Sequence, residues 1–196
     1  RYLTELADQQ QVGEHGLIAL DWWNGDRSIL VDHNLRGVLV GMSLATRPED
    51  IYRALIESTA FGTRKIIEAF DDAGVAVSEL VAAGGLLDNP VLMQIYSDVV
   101  NRPISVLGSD QGPALGSAIH AAVAAGVHED IETAAAQMGK VRDHLYSPSR
   151  QRAEAYDRLY RVYVQLHDWF GQQNRELMRE LQSISADARK GERVEQ

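Results

Sequence analysis

The chain has 196 residues, of which 45% are hydrophobic and 24% are charged, and its net charge is −9. This is the composition of an ordinary globular domain, and the acidic balance argues against a general nucleic-acid surface, which needs clustered Lys and Arg. The chain has no cysteine, which excludes disulfides, thiolate catalysis and thiolate zinc sites and favours a reducing, cytoplasmic compartment.

The first predicted elements are a short helix over residues 2–11 and two strands. The continuous apolar run LIAL at 17–20 predicts a buried strand, and GVLVGMSL at 37–44 predicts a second one. The loop between them, DWWNGDRS, carries Trp22 and Trp23. One of these indoles is expected in the core, and together they could instead belong to an interface or a substrate channel.

A long helix is predicted to start at TRPE, because this sequence has the form of a capping box. The Thr46 hydroxyl would accept from the Glu49 amide, and the Glu49 carboxylate would reach back. Pro48 suits the first turn, and Gly74 would end the helix. The residues that recur at three- and four-residue spacing and predict its buried face are Ile51, Ala54, Leu55, Ser58, Gly62, Ile66, Ala69 and Phe70.

The middle of the chain alternates strand and helix. Strands are predicted at 80–83 and 104–107, and each is followed by a helix, at 90–100 and 113–125. This order favours parallel pairing of the two strands with crossover helices. The longest apolar run, 118–127, is too short to span a bilayer, so neither a membrane nor nucleic acid is expected as a partner.

The last part of the chain is predicted to be helical. Asp130 would cap a short helix, and a long helix would follow Pro148. The long helix carries an aromatic stripe, which is more typical of packing than of a cofactor site but could form a dimer face. The stripe consists of Tyr156, Tyr160, Tyr163 and Phe170. The polar residues 183–196 predict a disordered tail.

Gly84 and Gly85 lie where the strand at 80–83 turns into a helix. Because glycine has no Cβ, a ligand can come within contact distance of the backbone there. Asp88 or Asn89 can cap the helix, and free amides at its end would attract an anion such as a phosphate. The turn also lies at the carboxyl end of its strand, where ligands bind in parallel sheets. On these residues alone, the glycines could equally make only a tight turn.

A second glycine junction follows the strand at 104–107. Gly112 opens a helix in which the small residues at 116–118 would keep the packing surface small. Two neighbouring junctions of this kind would form the walls of one cleft at the same sheet edge. The small residues at 114–118 could instead only let the helix lie close to its neighbour.

Other candidate residues carry less information. Asp110 could contact a nucleotide ribose or a metal-bound water, but a solvated loop carboxylate is the simpler interpretation. None of the six histidines has metal-ligand spacing such as H-E-x-x-H, so no metal site is predicted. Arg27 and Arg36 cannot be assigned a contact.

Three segments, in this order and spacing, resemble the C-terminal lobe of the FGGY family of carbohydrate kinases. They are RALIESTAFGTRKIIEAF, AAGGLLDNPVLMQIYSDVVNRPI and ALGSAIHAAVAAG, and the resemblance runs from about Leu17 to about Phe170. Within the family it is greatest for the branch that phosphorylates the ketopentose L-ribulose, through ALDWWNGDR and the helix ending in YDRLYRVY.

The resemblance implies an α/β fold, an actin-like ATPase lobe of the ribonuclease H type with a mixed sheet, crossover helices and a long C-terminal helix, truncated at its N-terminal strands. Residues 1–146 would be the partial ATP-binding lobe, 147–182 a helical extension and 183–196 the tail. In this family ATP lies between two lobes, and Mg²⁺ would be bound mainly by residues outside this segment.

The resemblance also assigns the nucleotide contacts. The turn made by Gly84 and Gly85 would carry the nucleotide, with the Gly85 amide near the α-phosphate. Leu86 would lie against the adenine or ribose, and Asn89 near the adenine edge. No residue of this chain is expected to be catalytic.

The family's Asp-Gly-Thr phosphate motif, catalytic aspartate and Gly-Thr-Ser hairpin are not found in this chain. We therefore expect a C-terminal fragment that is inactive alone, with an exposed sheet edge that favours a homodimer. The alternatives are a kinase of another sugar, such as xylulose or glycerol, and a non-catalytic actin-like binding module. The upstream coding sequence would distinguish the kinase from the module.

Overall fold

The computed structural model describes residues 2–192, which are mostly helical with two small sheets. In chain order the elements are α1 (Tyr2–Asp8), β1 (Ile18–Leu20), β2 (Val38–Val40), α2 (Pro48–Asp72), β3 (Val81–Ala82), α3 (Pro90–Val100), β4 (Ile104–Leu107), α4 (Gly112–Ala124), α5 (Ile131–Met138), β5 (Val141–Tyr146), α6 (Arg150–Asp168) and α7 (Arg175–Glu192). A 3-10 turn (Gly85–Asp88) precedes α3. Within residues 2–192, no helix is both long and apolar enough to cross a membrane.

The strands form a two-stranded sheet and a three-stranded sheet. β1 and β2 pair antiparallel, with Ala19 opposite Leu39. In the second sheet β3 runs parallel to β4, with Val81 opposite Ser105, and β4 runs antiparallel to β5. Helix α3 makes the crossover between β3 and β4, so the predicted mixed sheet is confirmed. No pattern predicts β5, because its sequence, VRDHLY, has no apolar run.

One hydrophobic core joins β1, α2, α3 and α6. Phe61 of α2 lies against Tyr156, Tyr160 and Tyr163, with ring centroids 5.3 to 6.1 Å apart. The aromatic stripe of α6 is therefore a packing stripe. Trp22 belongs to the same core and is 2% exposed, whereas Trp23 is 54% exposed, which confirms that one of the two indoles is a core residue.

The capping box predicted at the start of α2 is wrong by one residue. The residue before a proline is restricted to extended backbone, and Arg47, with φ −104° and ψ 161°, is therefore the N-cap before Pro48. The Arg47 amide donates to Asp50 Oδ2 at 2.8 Å, so Asp50 takes the role assigned to Glu49. The Thr46 hydroxyl oxygen instead accepts from the Ser43 amide at 2.9 Å.

A buried charged network ties α1, α2 and α6 together. Arg53 Nε donates to Glu57 Oε1 at 2.8 Å, and both side chains are almost fully buried. Arg53 Nη1 donates to the carbonyl oxygen of Gln10 at 2.7 Å and to that of Ala7 at the end of α1. Tyr156 OH donates to Glu57 Oε1 at 2.9 Å and accepts from Arg53 Nη2 at 3.2 Å.

His15 completes this network. The Leu17 amide donates to His15 Nδ1 at 3.0 Å, so this nitrogen carries no hydrogen, and the neutral ring donates from Nε2 to Glu57 Oε2 at 3.1 Å. Burial alone would raise the pKa of the Glu57 carboxyl, but the hydrogen bonds from His15 and Arg53 and the positive charge of Arg53 outweigh it and hold the pKa below its usual value.

The C-terminal helix is broken once and continues further than predicted. A π-helical turn (Trp169–Gln173) separates α6 from α7. Gly171 lies at this break, where a Cβ would overlap Leu30 and come within 3.0 Å of Trp22 Cη2. The tail predicted at 183–196 is helical up to Glu192, and 193–196 lie outside the described residues. Buried Met178 and an Arg179–Asp32 ion pair hold α7 in place.

Candidate functional site

The parallel pairing of β3 with β4 brings the two glycine junctions to one edge of the sheet. Both strands end at that edge, β3 just before the Gly84 turn and β4 before Gly108. A Cβ built on Gly112 would lie 3.6 Å from the Cβ of Ala83 and 3.1 Å from Leu107 Cδ2. The two glycine turns therefore meet, as the strand order predicts.

Gly84 and Gly85 leave the backbone open at the first junction. A Cβ on either residue would have no atom within 4 Å outside the neighbouring residues. Among the described residues the Gly85 and Leu86 amides make no hydrogen bond, so an anion can accept from both. Leu86 is 51% exposed beside them. The positive φ, +87°, belongs to Gly84, so only Gly84 has a backbone conformation that favours glycine.

Asn89 caps α3, in agreement with the prediction that Asp88 or Asn89 does so. Its Oδ1 accepts from the Leu92 amide at 3.2 Å, and its Nδ2 donates to the Tyr52 hydroxyl oxygen at 3.2 Å. The Tyr52 hydroxyl lies 2.9 Å from Thr4 Oγ1. Sequence patterns give no sign of this support, because Tyr52 lies 37 residues from Asn89.

Two adjacent open amides belong to the 3-10 turn, and among the described residues the first turn of α3 adds only the amide of Val91. In the first turn of α3, Pro90 has no N–H, the Leu92 amide donates to Asn89 Oδ1, and the Met93 amide donates to the Asn89 carbonyl. The expectation that an anion binds at this end of α3 therefore rests mainly on the Gly85 and Leu86 amides, which precede the helix.

Asn89→Ala is expected to lower the free energy of unfolding by ~1 kcal/mol, because it removes the cap of α3. The melting temperature should fall by roughly 2–4 °C for a chain of this size, measured by circular dichroism. Asn89→Asp is the matched control, because its carboxylate still accepts from the Leu92 amide. Equal losses in the two variants would contradict the capping role.

At the second junction the small residues at 116–118 do not form a packing surface in the described part of the chain. A Cβ on Gly116 would meet no atom within 4 Å, and Ser117 and Ala118 are exposed. Within residues 2–192 these small residues therefore do not let α4 pack closely against a neighbour. Asp110 is exposed in the loop between β4 and α4, and its role stays unassigned.

The chain is similar to sugar kinases along most of its length. A family model described as "FGGY family of carbohydrate kinases, C-terminal domain" matches residues 2–125. Ribulokinase from Mycolicibacterium smegmatis is 54% identical over 193 residues, which are 98% of this chain and 34% of that protein. Ribulokinase from Bacillus licheniformis is 51% identical over 198 residues, 96% of this chain and 36% of that protein.

A solved structure has the same fold. Xylulose kinase from Rhodospirillum rubrum superimposes with a TM-score of 0.74 at 30% identity, covering 89% of this chain and 34% of that one. The chain thus spans about a third of the length of the curated relatives it matches.

Proposed function

This chain belongs to the FGGY family of carbohydrate kinases, and from that membership we propose that it forms the ATP-binding C-terminal portion of a ribulokinase. Such an enzyme transfers the γ-phosphate of ATP to the terminal (C5) hydroxyl of L-ribulose. The observation that carries the proposal is the identity of 54% and 51%, over nearly the whole chain, to two proteins named ribulokinase.

The glycine edge of the β3–β4 sheet is assigned to the nucleotide. The open amides of Gly85 and Leu86 support a contact with a phosphate oxygen, and Gly84 supplies the positive φ that the turn needs. The exposed Leu86 side chain is suited to cover the adenine or ribose. Asn89 uses one Nδ2 hydrogen for Tyr52, so an adenine contact there would use the other.

The chemical contribution of this chain is to hold and orient the nucleotide. Phosphoryl transfer depends mainly on positioning and on charge stabilisation around the γ-phosphate. Mg²⁺, when bound, would neutralise charge on the phosphates. In the described part of the chain no three His, Cys, Asp or Glu side chains are placed to hold a metal ion, so none is assigned to Mg²⁺. We also propose that this chain forms an actin-like lobe, and that the intact enzyme is a homodimer located in the cytoplasm.

The 196-residue chain is expected to show no sugar kinase activity by itself, because no residue in it is assigned as the base for the sugar hydroxyl. A coupled assay of ADP release with ATP and L-ribulose measures this, with an intact ribulokinase as the positive control. Turnover above background that disappears when a carboxylate of this chain is neutralised would contradict the assignment.

A further inference from the structure

A cavity of about 480 Å³ lies between the loop at 21–29, α2 and α6. Its volume falls in the range of small-molecule sites. It is formed by elements other than the two glycine turns, since its loop follows β1 whereas the turns follow β3 and β4. The lining residues that bear on its chemistry are Asp21, Trp22, Trp23, Asp26, Gly62, Lys65 and His167.

Asp21 provides a positioned carboxylate in this cavity. Its Oδ1 accepts from the Tyr163 hydroxyl at 3.2 Å. The carboxylate lies directly over Gly62 of α2, where a Cβ would come within 2.6 Å of Oδ2 and 3.0 Å of Oδ1. Gly62 therefore leaves the space that the carboxylate occupies. Burial raises the pKa of the Asp21 carboxyl, because its hydrogen bonds within the protein do not fully replace the water that burial removes.

Trp22 and His167 bring a donor and an acceptor to the inner wall. Their rings lie edge to face with centroids 5.4 Å apart, and the side chains are 2% and 1% exposed. Within residues 2–192, Trp22 Nε1 and His167 Nε2 have no hydrogen-bond partner. His167 Nδ1 lies 2.9 Å from Asp168 Oδ1 and carries a hydrogen, so Nε2, which lies 3.9 Å from Asp26 Oδ2, is an acceptor when the ring is neutral.

These groups select the kind of ligand. A hydroxyl group both accepts and donates, so it can satisfy the Trp22 N–H and either His167 Nε2 or the Asp21 carboxylate. A metal site is not indicated, because the described residues contain no group of three potential ligands. Lys65 also lines the cavity and has no ion pair among the described residues, so a phosphate ester on the ligand would meet a cation.

We propose that this cavity binds a small polyhydroxylated ligand, a sugar or its phosphate ester, through Asp21, with Trp22 and His167 as donor and acceptor behind it. Asp21 accepts from the ligand's hydroxyl groups, and exposed Trp23 contributes apolar surface at the same cavity.

The three tryptophans of the chain make the test direct. Trp22 and Trp23 line the cavity, whereas Trp169 packs against Phe170 at the start of the π-helical turn. The indole N–H signals are followed by ¹⁵N–¹H NMR while L-ribulose, L-ribulose 5-phosphate or inorganic phosphate is added. A saturable shift of the Trp22 and Trp23 signals with either sugar, and none of Trp169, is the expected result.

Asp21→Asn keeps the shape and the acceptor for Tyr163 but removes the charge, and is expected to weaken sugar binding about tenfold. Asp187→Asn, at an exposed position on α7, is the matched control and should leave the affinity unchanged. If Asp21→Asn does not fold, Gly62→Ala, which displaces the carboxylate, takes its place.

Two results would overturn the site. The first is a failure of sugar binding to depend on the cavity. This would be seen as no indole shift with L-ribulose or L-ribulose 5-phosphate, or as equal sugar affinity in the parent and in Asp21→Asn (or Gly62→Ala, where that variant is used). The other is that inorganic phosphate alone reproduces the shifts while L-ribulose gives none, which would make the cavity an anion site. Neither result bears on the nucleotide contacts at Gly85.

Discussion

In an intact kinase that contains this chain, Gly85→Val is expected to abolish detectable binding of a non-hydrolysable ATP analogue, while the melting temperature changes by less than about 2 °C. The structure separates these two effects. A Cβ on Gly85 would meet no neighbouring atom, and the positive φ of the turn belongs to Gly84. The valine side chain can therefore be accommodated, and its methyl groups would fill the space in front of the Gly85 and Leu86 amides. Calorimetric titration and a thermal melt of each protein measure the two effects.

Leu87→Ala is the control for this experiment. Leu87 packs against the second hydrophobic cluster, which contains Ile67, Met93, Val100 and Ile104. Its truncation should lower the melting temperature, because a packed side chain is lost, and should leave the nucleotide affinity close to that of the parent. If Gly85→Val binds the analogue as tightly as the parent, the Gly84–Gly85 junction is only a turn, and the assignment of the nucleotide to this edge is wrong.

The parallel β3–β4 edge could be predicted because its determinants are local. Each strand is an apolar run, each is followed by glycine and a helix, and the order alone favours parallel pairing. The cap at Asn89 follows from the same local rules. What local rules cannot supply is the set of partners from distant segments, such as Tyr52, which holds the other end of the Asn89 side chain.

The buried face of α2 shows where apolar periodicity fails. The pattern assigned Phe70 to the core, but Phe70 is 49% exposed. The face instead contains Arg53 and Glu57, which any hydrophobicity count places in solvent. A charged side chain is stable in the interior only when partners meet it there. Those partners, His15 and Tyr156, lie 42 and 99 residues away from Glu57.

The same network predicts the largest loss of stability. Arg53→Met is expected to lower the free energy of unfolding by about 3–5 kcal/mol, because it leaves the Glu57 carboxylate buried without its cation. It also leaves the carbonyl oxygens of Ala7 and Gln10 without the donor that joins α1 to α2. Urea unfolding at neutral pH, followed by circular dichroism, measures the change. The melting temperature should fall by roughly 10 °C.

Arg150→Met is the matched control, because Arg150 and Glu154 form an ion pair with the same spacing on the exposed face of α6. Its loss should be less than about 0.5 kcal/mol, as for exposed helix pairs. Equal losses for the two arginine variants would show that the Arg53 network does not stabilise the fold.

Acid should weaken this network. Because the folded-state pKa of Glu57 is lowered, its charged interactions stabilise the protein above the unfolded-state pKa of about 4.5 and are lost as the pH falls through the folded-state value. The destabilisation caused by Glu57→Gln should therefore be largest at neutral pH and should shrink in acid, where the parent carboxyl is protonated and resembles the glutamine. A destabilisation that is the same at pH 7 and in acid would mean that Glu57 acts through its shape alone, and that its charge contributes nothing to joining α1, α2 and α6.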